Sequence, residues 1–233
     1  MRRTIGRLAA VCAAVAITAS CSLQPSGVGA IVRRLPDEPS HAPAPVLPPP
    51  PELEEPRFVE APTETHEGKG NATVPLTWPS GVAGFLKFDC PKCDGHIAVK
   101  TDGIDSLLVN AGNPYHGTAW FNVSLGGRWV HKLDITADAA WTATITDYRG
   151  LPMVEPGKPH SAHGDAVLAI PPGMTRGKFT TNSRGHSGVW TMCDGQKDLV
   201  VNQIIPYDGE FPLHGQAFVA VEAYDGDWTF TAS

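Results

Sequence analysis

Beyond residue 66 the chain alternates apolar and polar side chains with a period of two. Trp141, Ala143 and Ile145 alternate with Thr142 and Thr144, and Trp228, Phe230 and Ala232 alternate with Thr229 and Thr231. Leu133, Ile135 and Ala137 flank Asp134 and Thr136, while Val219, Val221 and Ala223 flank Ala220 and Glu222. Successive side chains of a strand point to opposite faces, so one set is expected in a core and the threonines outside it. Asp102-Gly103, Gly126-Gly127, Asp194-Gly195 and Asp225-Gly226 read as the turns between strands. No long segment after residue 66 carries the helical period. The pattern predicts an all-β protein.

The strands recur. Ser106-Leu107-Leu108-Val109-Asn110 matches Asp198-Leu199-Val200-Val201-Asn202, and Pro114-Tyr115-His116-Gly117 matches Pro206-Tyr207-Asp208-Gly209, both at an offset of 92. Gly84 and Gly95 match Gly177 and Gly188 at 93, and Asp138–Thr142 matches Asp225–Thr229 at 87. Such ordered self-similarity indicates a duplication. Two tandem antiparallel β-sandwich repeats, jelly-roll-like and of about seven short strands each, are expected at 67–148 and 161–233, with a connector at 149–160. The Leu133 and Val219 sets stand one residue out of step relative to the tryptophans, which predicts a β-bulge in one copy.

The N-terminal part has another composition. Ten prolines lie between Pro36 and Pro62. Proline removes amide donors and fixes φ, so residues 21–66 read as a disordered Pro-rich tether, extended as polyproline II with a reach on the order of 100 Å. Arg2, Arg3 and Arg7 precede the uncharged run Leu8–Ser20. A spanning helix needs roughly 20 apolar residues, so this shorter run reads as a signal peptide over residues 1–20. Ile17-Thr18-Ala19-Ser20-Cys21 resembles the lipobox of bacterial lipoproteins, with Thr18 where leucine is usual. That resemblance implies lipidation of Cys21, attachment to the membrane through N-terminal acyl chains, and residence on the extracytoplasmic face of the cell membrane. Arg2-Arg3-Thr4-Ile5 also resembles a twin-arginine signal, which leaves the export route open. The Leu-Leu-Val-Asn, Pro-Tyr-x-Gly and Asp-x-x-Trp-Thr landmarks resemble small β domains of uncharacterised bacterial surface lipoproteins. The resemblance implies a fold type and an extracellular setting, and it carries no catalytic residues.

Charge and chemistry narrow the function. The 233-residue chain has a net charge of −6, which argues against nucleic acid as a partner. Cys90-Pro91-Lys92-Cys93 supports three readings: a redox pair, a metal site completed by His96 and Cys193, or a disulfide that staples a turn. An exported chain favours the disulfide between Cys90 and Cys93, with Cys193 then expected as a buried thiol at a strand end. No metal or cofactor is expected. His160 and His163 read as surface-loop residues, and Gly185–Val189 lacks the final glycine and helix of a serine nucleophile turn. Asp134, Asp138, Asp225 and Asp227 read as turn and edge residues. Asn110 with Tyr115, and Asn202 with Tyr207, are the repeated polar pairs and the candidate binding residues. The expected function is the binding of cell-wall glycan or a partner protein, without catalysis. The alternative is a redox accessory or metal-binding protein built on Cys90 and Cys93.

Overall fold

The computed structural model describes residues 55–233, except Asn113, Asp194, Gly195, Gln216, Ala217, Tyr224 and Asp225. The expected signal peptide, Cys21 and most of the tether lie outside the described residues. The first repeat comprises β1 (Glu64–Lys69), β2 (Ala72–Pro75), β3 (Gly84–Cys90), β4 (His96–Thr101), β5 (Leu107–Gly112), β6 (Tyr115–Phe121), β7 (Lys132–Thr136) and β8 (Ala140–Thr146). The second comprises β9 (His160–His163), β10 (Ala166–Ala169), β11 (Arg176–Thr181), β12 (Ser187–Cys193), β13 (Gln196–Gln203), β14 (Tyr207–Pro212), β15 (Phe218–Ala223) and β16 (Asp227–Ala232). Each copy thus has eight strands rather than about seven. The short β2 and β10 are too brief to show alternation. Among the described residues no helix is long and apolar enough to cross a membrane.

Each repeat is two four-stranded antiparallel sheets. The orders are β1-β8-β3-β6 and β2-β7-β4-β5 in the first, and β9-β16-β11-β14 and β10-β15-β12-β13 in the second. Every strand of one copy therefore has a counterpart at the same sheet position in the other. The registers also correct the sequence alignment. Ala98 pairs with Asn110 where Gly188 pairs with Asn202, so Gly95 corresponds to Gly185 and not to Gly188. Phe88 opposes Gly117 where Phe179 opposes Gly209, which puts Gly177 in the place of Leu86 rather than Gly84. Register shifts occur in both copies, at Val99/Lys100 and at Val189/Trp190. The expected single-copy bulge is absent from the described strands. Ile135 pairs with Val99 where Val221 pairs with Val189, so the extra residue of the second copy lies between Val221 and Trp228.

The alternation places its side chains as expected. Trp141 and Trp228 are both buried at the same position of the last strand. Trp141 Nε1 donates to the Gly70 carbonyl at 2.8 Å, and Trp228 Nε1 donates to the Gly164 carbonyl at 2.7 Å. One core holds Leu86, Phe88, Ile97, Leu133 and Trp141, and a second holds Leu168, Phe179, Val189, Trp228 and Phe230. A third apolar cluster joins the repeats: Phe85, Trp120 and Val123 meet Val167, Met192, Phe218 and Ala220. Hence β15 is apolar at four successive positions, with one face in its own core and the other against the first repeat.

Order begins before residue 67. β1 starts at Glu64, Ala61 is buried, and the Phe58 ring stacks on Phe218 with centroids 5.2 Å apart. Asp147, just after β8, secures this entry. Its carboxylate accepts from Ala61 N at 2.8 Å and from Arg149 N and Nη2 at 2.9 and 2.7 Å. The connector is also packed, with Val154 in the second core.

Candidate functional site

Cys90 and Cys93 form a disulfide with Cα atoms 5.5 Å apart, and both residues are buried. The second copy closes the corresponding turn differently. Thr181 stands at the Cys90 position, and its Oγ1 accepts from Ser183 N at 3.1 Å and donates to the Asp227 carbonyl at 2.8 Å. Among the described residues no three His, Cys, Asp or Glu side chains are arranged to hold a metal ion. Cys193 is half-buried rather than buried, and its Sγ lies 3.3 Å from the His214 carbonyl oxygen. His160 and His163 begin and end β9 instead of standing in a loop, and the His160 ring stacks on Trp228. The aspartates do not converge: Asp134 pairs with Lys132 and Thr73, and Asp227 with His163.

The repeated asparagines pair with histidines and not with the tyrosines. His96 Nε2 lies 2.9 Å from Asn110 Oδ1, and His186 Nε2 lies 3.0 Å from Asn202 Oδ1. Both contacts cross strands, at equivalent places in the two copies. The tyrosines belong to an aromatic stack. Phe88 lies against Tyr115 and Trp141, and Phe179 against Tyr207 and Trp228, with centroids 6.1–6.3 Å apart. Each tyrosine folds over the glycine two residues on. A Cβ at Gly117 would fall 2.4 Å from Tyr115 Oη, and one at Gly209 2.2 Å from Tyr207 Oη, so only glycine leaves room for the ring.

One tyrosine also spans the repeats. Tyr115 Oη donates to Asp165 Oδ2 at 2.9 Å, while Asp165 Oδ1 accepts from Ala223 N at 2.9 Å. Asn71 does the same for Ala137 N in the first copy, at 3.1 Å. Around this contact lies a cleft of about 720 Å³. Asn110, Tyr115 and His116 line it from the first repeat, and His163, Asp165, His186 and Glu222 from the second. Leu107, Leu108 and Ala111 form an apolar wall. Of the four expected binding residues, Asn110 and Tyr115 line the cleft and Asn202 stands behind His186. Tyr207 lies on β14 away from it.

Sequence reasoning missed Asp165, Glu222 and the role of His186. Gly164-Asp165 against Gly70-Asn71, and Gly185-His186 against Gly95-His96, were the available signals. Three histidines of this cleft have a ring nitrogen oriented by a partner: His116 Nδ1 by Asp89, His163 Nδ1 by Asp227, and His186 Nε2 by Asn202. Glu222 and His186 approach one another over Gly188, where a Cβ would meet Glu222 Oε2 at 3.3 Å and His186 Cε1 at 3.4 Å. Burial raises the Asp165 carboxyl above its ordinary range, against the opposing pull of its bonds from Tyr115 and Ala223 N. Burial raises Glu222 too, and the neighbouring Asp165 charge adds to it. The Tyr115 hydroxyl is pushed well above its usual range, first by burial and then by Asp165, and serves as a donor. The cleft thus offers fixed donors and acceptors beside an apolar wall.

No family model matches the chain, and no curated protein matches it. Among solved structures, the regulatory subunit of a cAMP-independent protein kinase A from Trypanosoma cruzi bound to guanosine is similar at 9% identity. That match covers 73% of this chain and 72% of that one, with a TM-score of 0.21. The major capsid protein P2 from Bacteriophage PM2 is similar at 10% identity over 76% of this chain and 94% of that one, also with a TM-score of 0.21. At these scores neither match bears on the fold or the function.

Proposed function

We propose that this protein is a lipid-anchored, extracytoplasmic binding protein that takes cell-wall glycan into the cleft between its two repeats. The observation that carries the reading is the cleft: Asn110, the three histidines, Asp165 and Glu222 converge there beside Leu107 and Leu108. Sugar hydroxyls are both donors and acceptors, and a concave surface of fixed polar side chains beside apolar ones suits them. A partner protein would find a recessed site here rather than a broad apolar patch. The reading takes each copy as an eight-stranded, two-sheet jelly roll, an architecture that the strand orders favour. Acylation of Cys21 would hold the protein at the membrane, with the Pro-rich segment carrying the repeats outward.

The test is cosedimentation of the purified protein with insoluble cell-wall glycan. The wild type is expected to sediment with it, and Asn110→Ala/His186→Ala is expected to stay in solution at an unchanged melting temperature. Equal sedimentation of both, or of neither, contradicts the reading. In cells, Cys21→Ala should release the protein from membranes or leave it unprocessed; a mature-sized protein still in the membrane fraction contradicts the anchor.

The disulfide itself favours a second reading, a redox accessory that uses Cys90 and Cys93. A pair that cycles with a mild dithiol in the folded protein would support it. A pair that opens only on unfolding is a staple, as the burial of both cysteines favours.

A further inference from the structure

Beside the cleft lies a smaller, partly open chamber of about 120 Å³. Leu107, Leu108, Asp165 and Glu222 line both spaces, so the two adjoin across the carboxylates. The rest of the chamber wall includes Asp105, Trp190 and Lys197. The Asp105 side chain is only 8% exposed, and its Oδ1 accepts from Lys197 Nζ at 2.7 Å and from Ser124 Oγ at 3.3 Å. Its Oδ2 is buried with no hydrogen-bond partner, whereas Trp190 Nε1 is turned toward Glu222. Native proteins keep few such atoms, and each one in a cavity wall indicates that something else completes it.

Charge indicates what that is. Asp105, Asp165 and Glu222 face a single ammonium, Lys197, so the ionised chamber is short of positive charge. Burial first, and then the Asp165 charge, raise the Glu222 carboxyl, in line with that shortage. A group that supplies charge and donors, with no acceptor to satisfy, is a primary ammonium, which is also compact enough for the space. A bound metal ion would need three convergent ligands, and the described residues do not provide them. Water is the rival occupant, since the volume holds roughly four molecules at about 30 Å³ each.

We propose that this chamber receives a primary ammonium group of the molecule bound in the cleft. Resting on the glycan reading, this makes the ligand an amine-bearing glycan, whether the amine belongs to an unacetylated amino sugar or to an amino-acid side chain attached to the glycan. The ammonium donates to Asp105 Oδ2 and the carboxylates of Asp165 and Glu222.

The experiment is calorimetric titration of the full protein at neutral pH with three probes: a glucosamine tetramer, its fully N-acetylated counterpart, and n-pentylamine. The glucosamine tetramer is expected to bind at least about tenfold more tightly than the acetylated one. Asp105→Asn should abolish that preference, and Glu222→Gln should reduce it, which keeps the test open if the first variant does not fold. Measurable pentylamine binding that is lost in either variant supports the attached side chain as a source. Equal affinity for both tetramers, with no pentylamine binding, overturns the ammonium chamber and leaves the glycan reading standing. Pentylamine binding without either tetramer supports the chamber and overturns the glycan reading. Binding of none of the three overturns both and leaves water as the occupant.

Discussion

Tyr115 and Tyr207 occupy equivalent places and have different duties. Both rings lie over a glycine and against a buried phenylalanine, but only the Tyr115 hydroxyl reaches a partner among the described residues, Asp165 of the other repeat. Tyr115→Phe removes that bond and leaves Asp165 Oδ2 without it, so it should cost about 1–2 kcal/mol in a denaturant titration. Tyr207→Phe should stay within ~0.5 kcal/mol. Asp147 gives a pH signature. Bonds from Arg149 hold its carboxyl at about 2, below the ordinary 3.8, so the folded state binds this proton less tightly than the unfolded state. Its contribution to stability is therefore complete above pH 3.8 and is lost as pH falls from there through about 2. Asp147→Asn should lower stability near neutrality and flatten that acid limb, measured as melting temperature against pH. Asp165 and Glu222 have the opposite sign. Their raised carboxyls favour the folded state while protonated, and that advantage is lost as pH rises through their folded-state values.

The last strand of each repeat was legible because its alternation is complete. Trp141, Ala143 and Ile145 in β8, and Trp228, Phe230 and Ala232 in β16, needed no information beyond period two, and all six are buried. Trp141→Ala or Trp228→Ala should cost about 3–5 kcal/mol. The loss should appear mainly in the repeat that carries the change, because the two cores are separate clusters; hydrogen exchange resolved by segment checks this. Other elements were not legible for physical reasons. The asparagine–histidine pairs join neighbouring strands, and strand register is absent from a linear pattern. The Cys90–Cys93 link was one of three readings of the spacing and was favoured by the expected export, yet its counterpart was not legible, since Thr181 and Ser183 look like any turn. The two solutions can be exchanged. Removing the disulfide with Cys90→Ala/Cys93→Ala should cost about 2 kcal/mol, and Cys90→Thr/Cys93→Ser should cost less, because the hydroxyl can repeat the bond that Thr181 Oγ1 accepts from Ser183 N.

The surfaces that join the repeats recur at the two outer ends of the pair, with their chemistry reversed. Where the junction has Phe85 and Trp120, the second repeat has Arg176 and Pro212, beside the ion pairs Arg176–Glu210 and Lys178–Asp208. Where the junction has Val167, Phe218 and Ala220, the first repeat has Thr73, Lys132 and Asp134, joined by hydrogen bonds. Charged outer faces end an array that apolar inner faces hold together, which accounts for two units rather than an open stack. Phe218→Ala should therefore loosen the junction, and with it the cleft, while both cores keep their packing. The cleft escaped sequence reading for the same reason. Asp165 sits in a turn that resembles any other, and Glu222 near the end of an otherwise apolar strand; they line a cleft only when Tyr115 and Leu107 of the other repeat dock beside them. Hydrogen–deuterium exchange of the full protein, with and without soluble cell-wall glycan fragments, tests the account most directly. Added protection at residues 107–117, 163–165, 186 and 222–223, with little change elsewhere, is the predicted result. Protection confined to other surfaces, or no protection at saturating fragment, contradicts it.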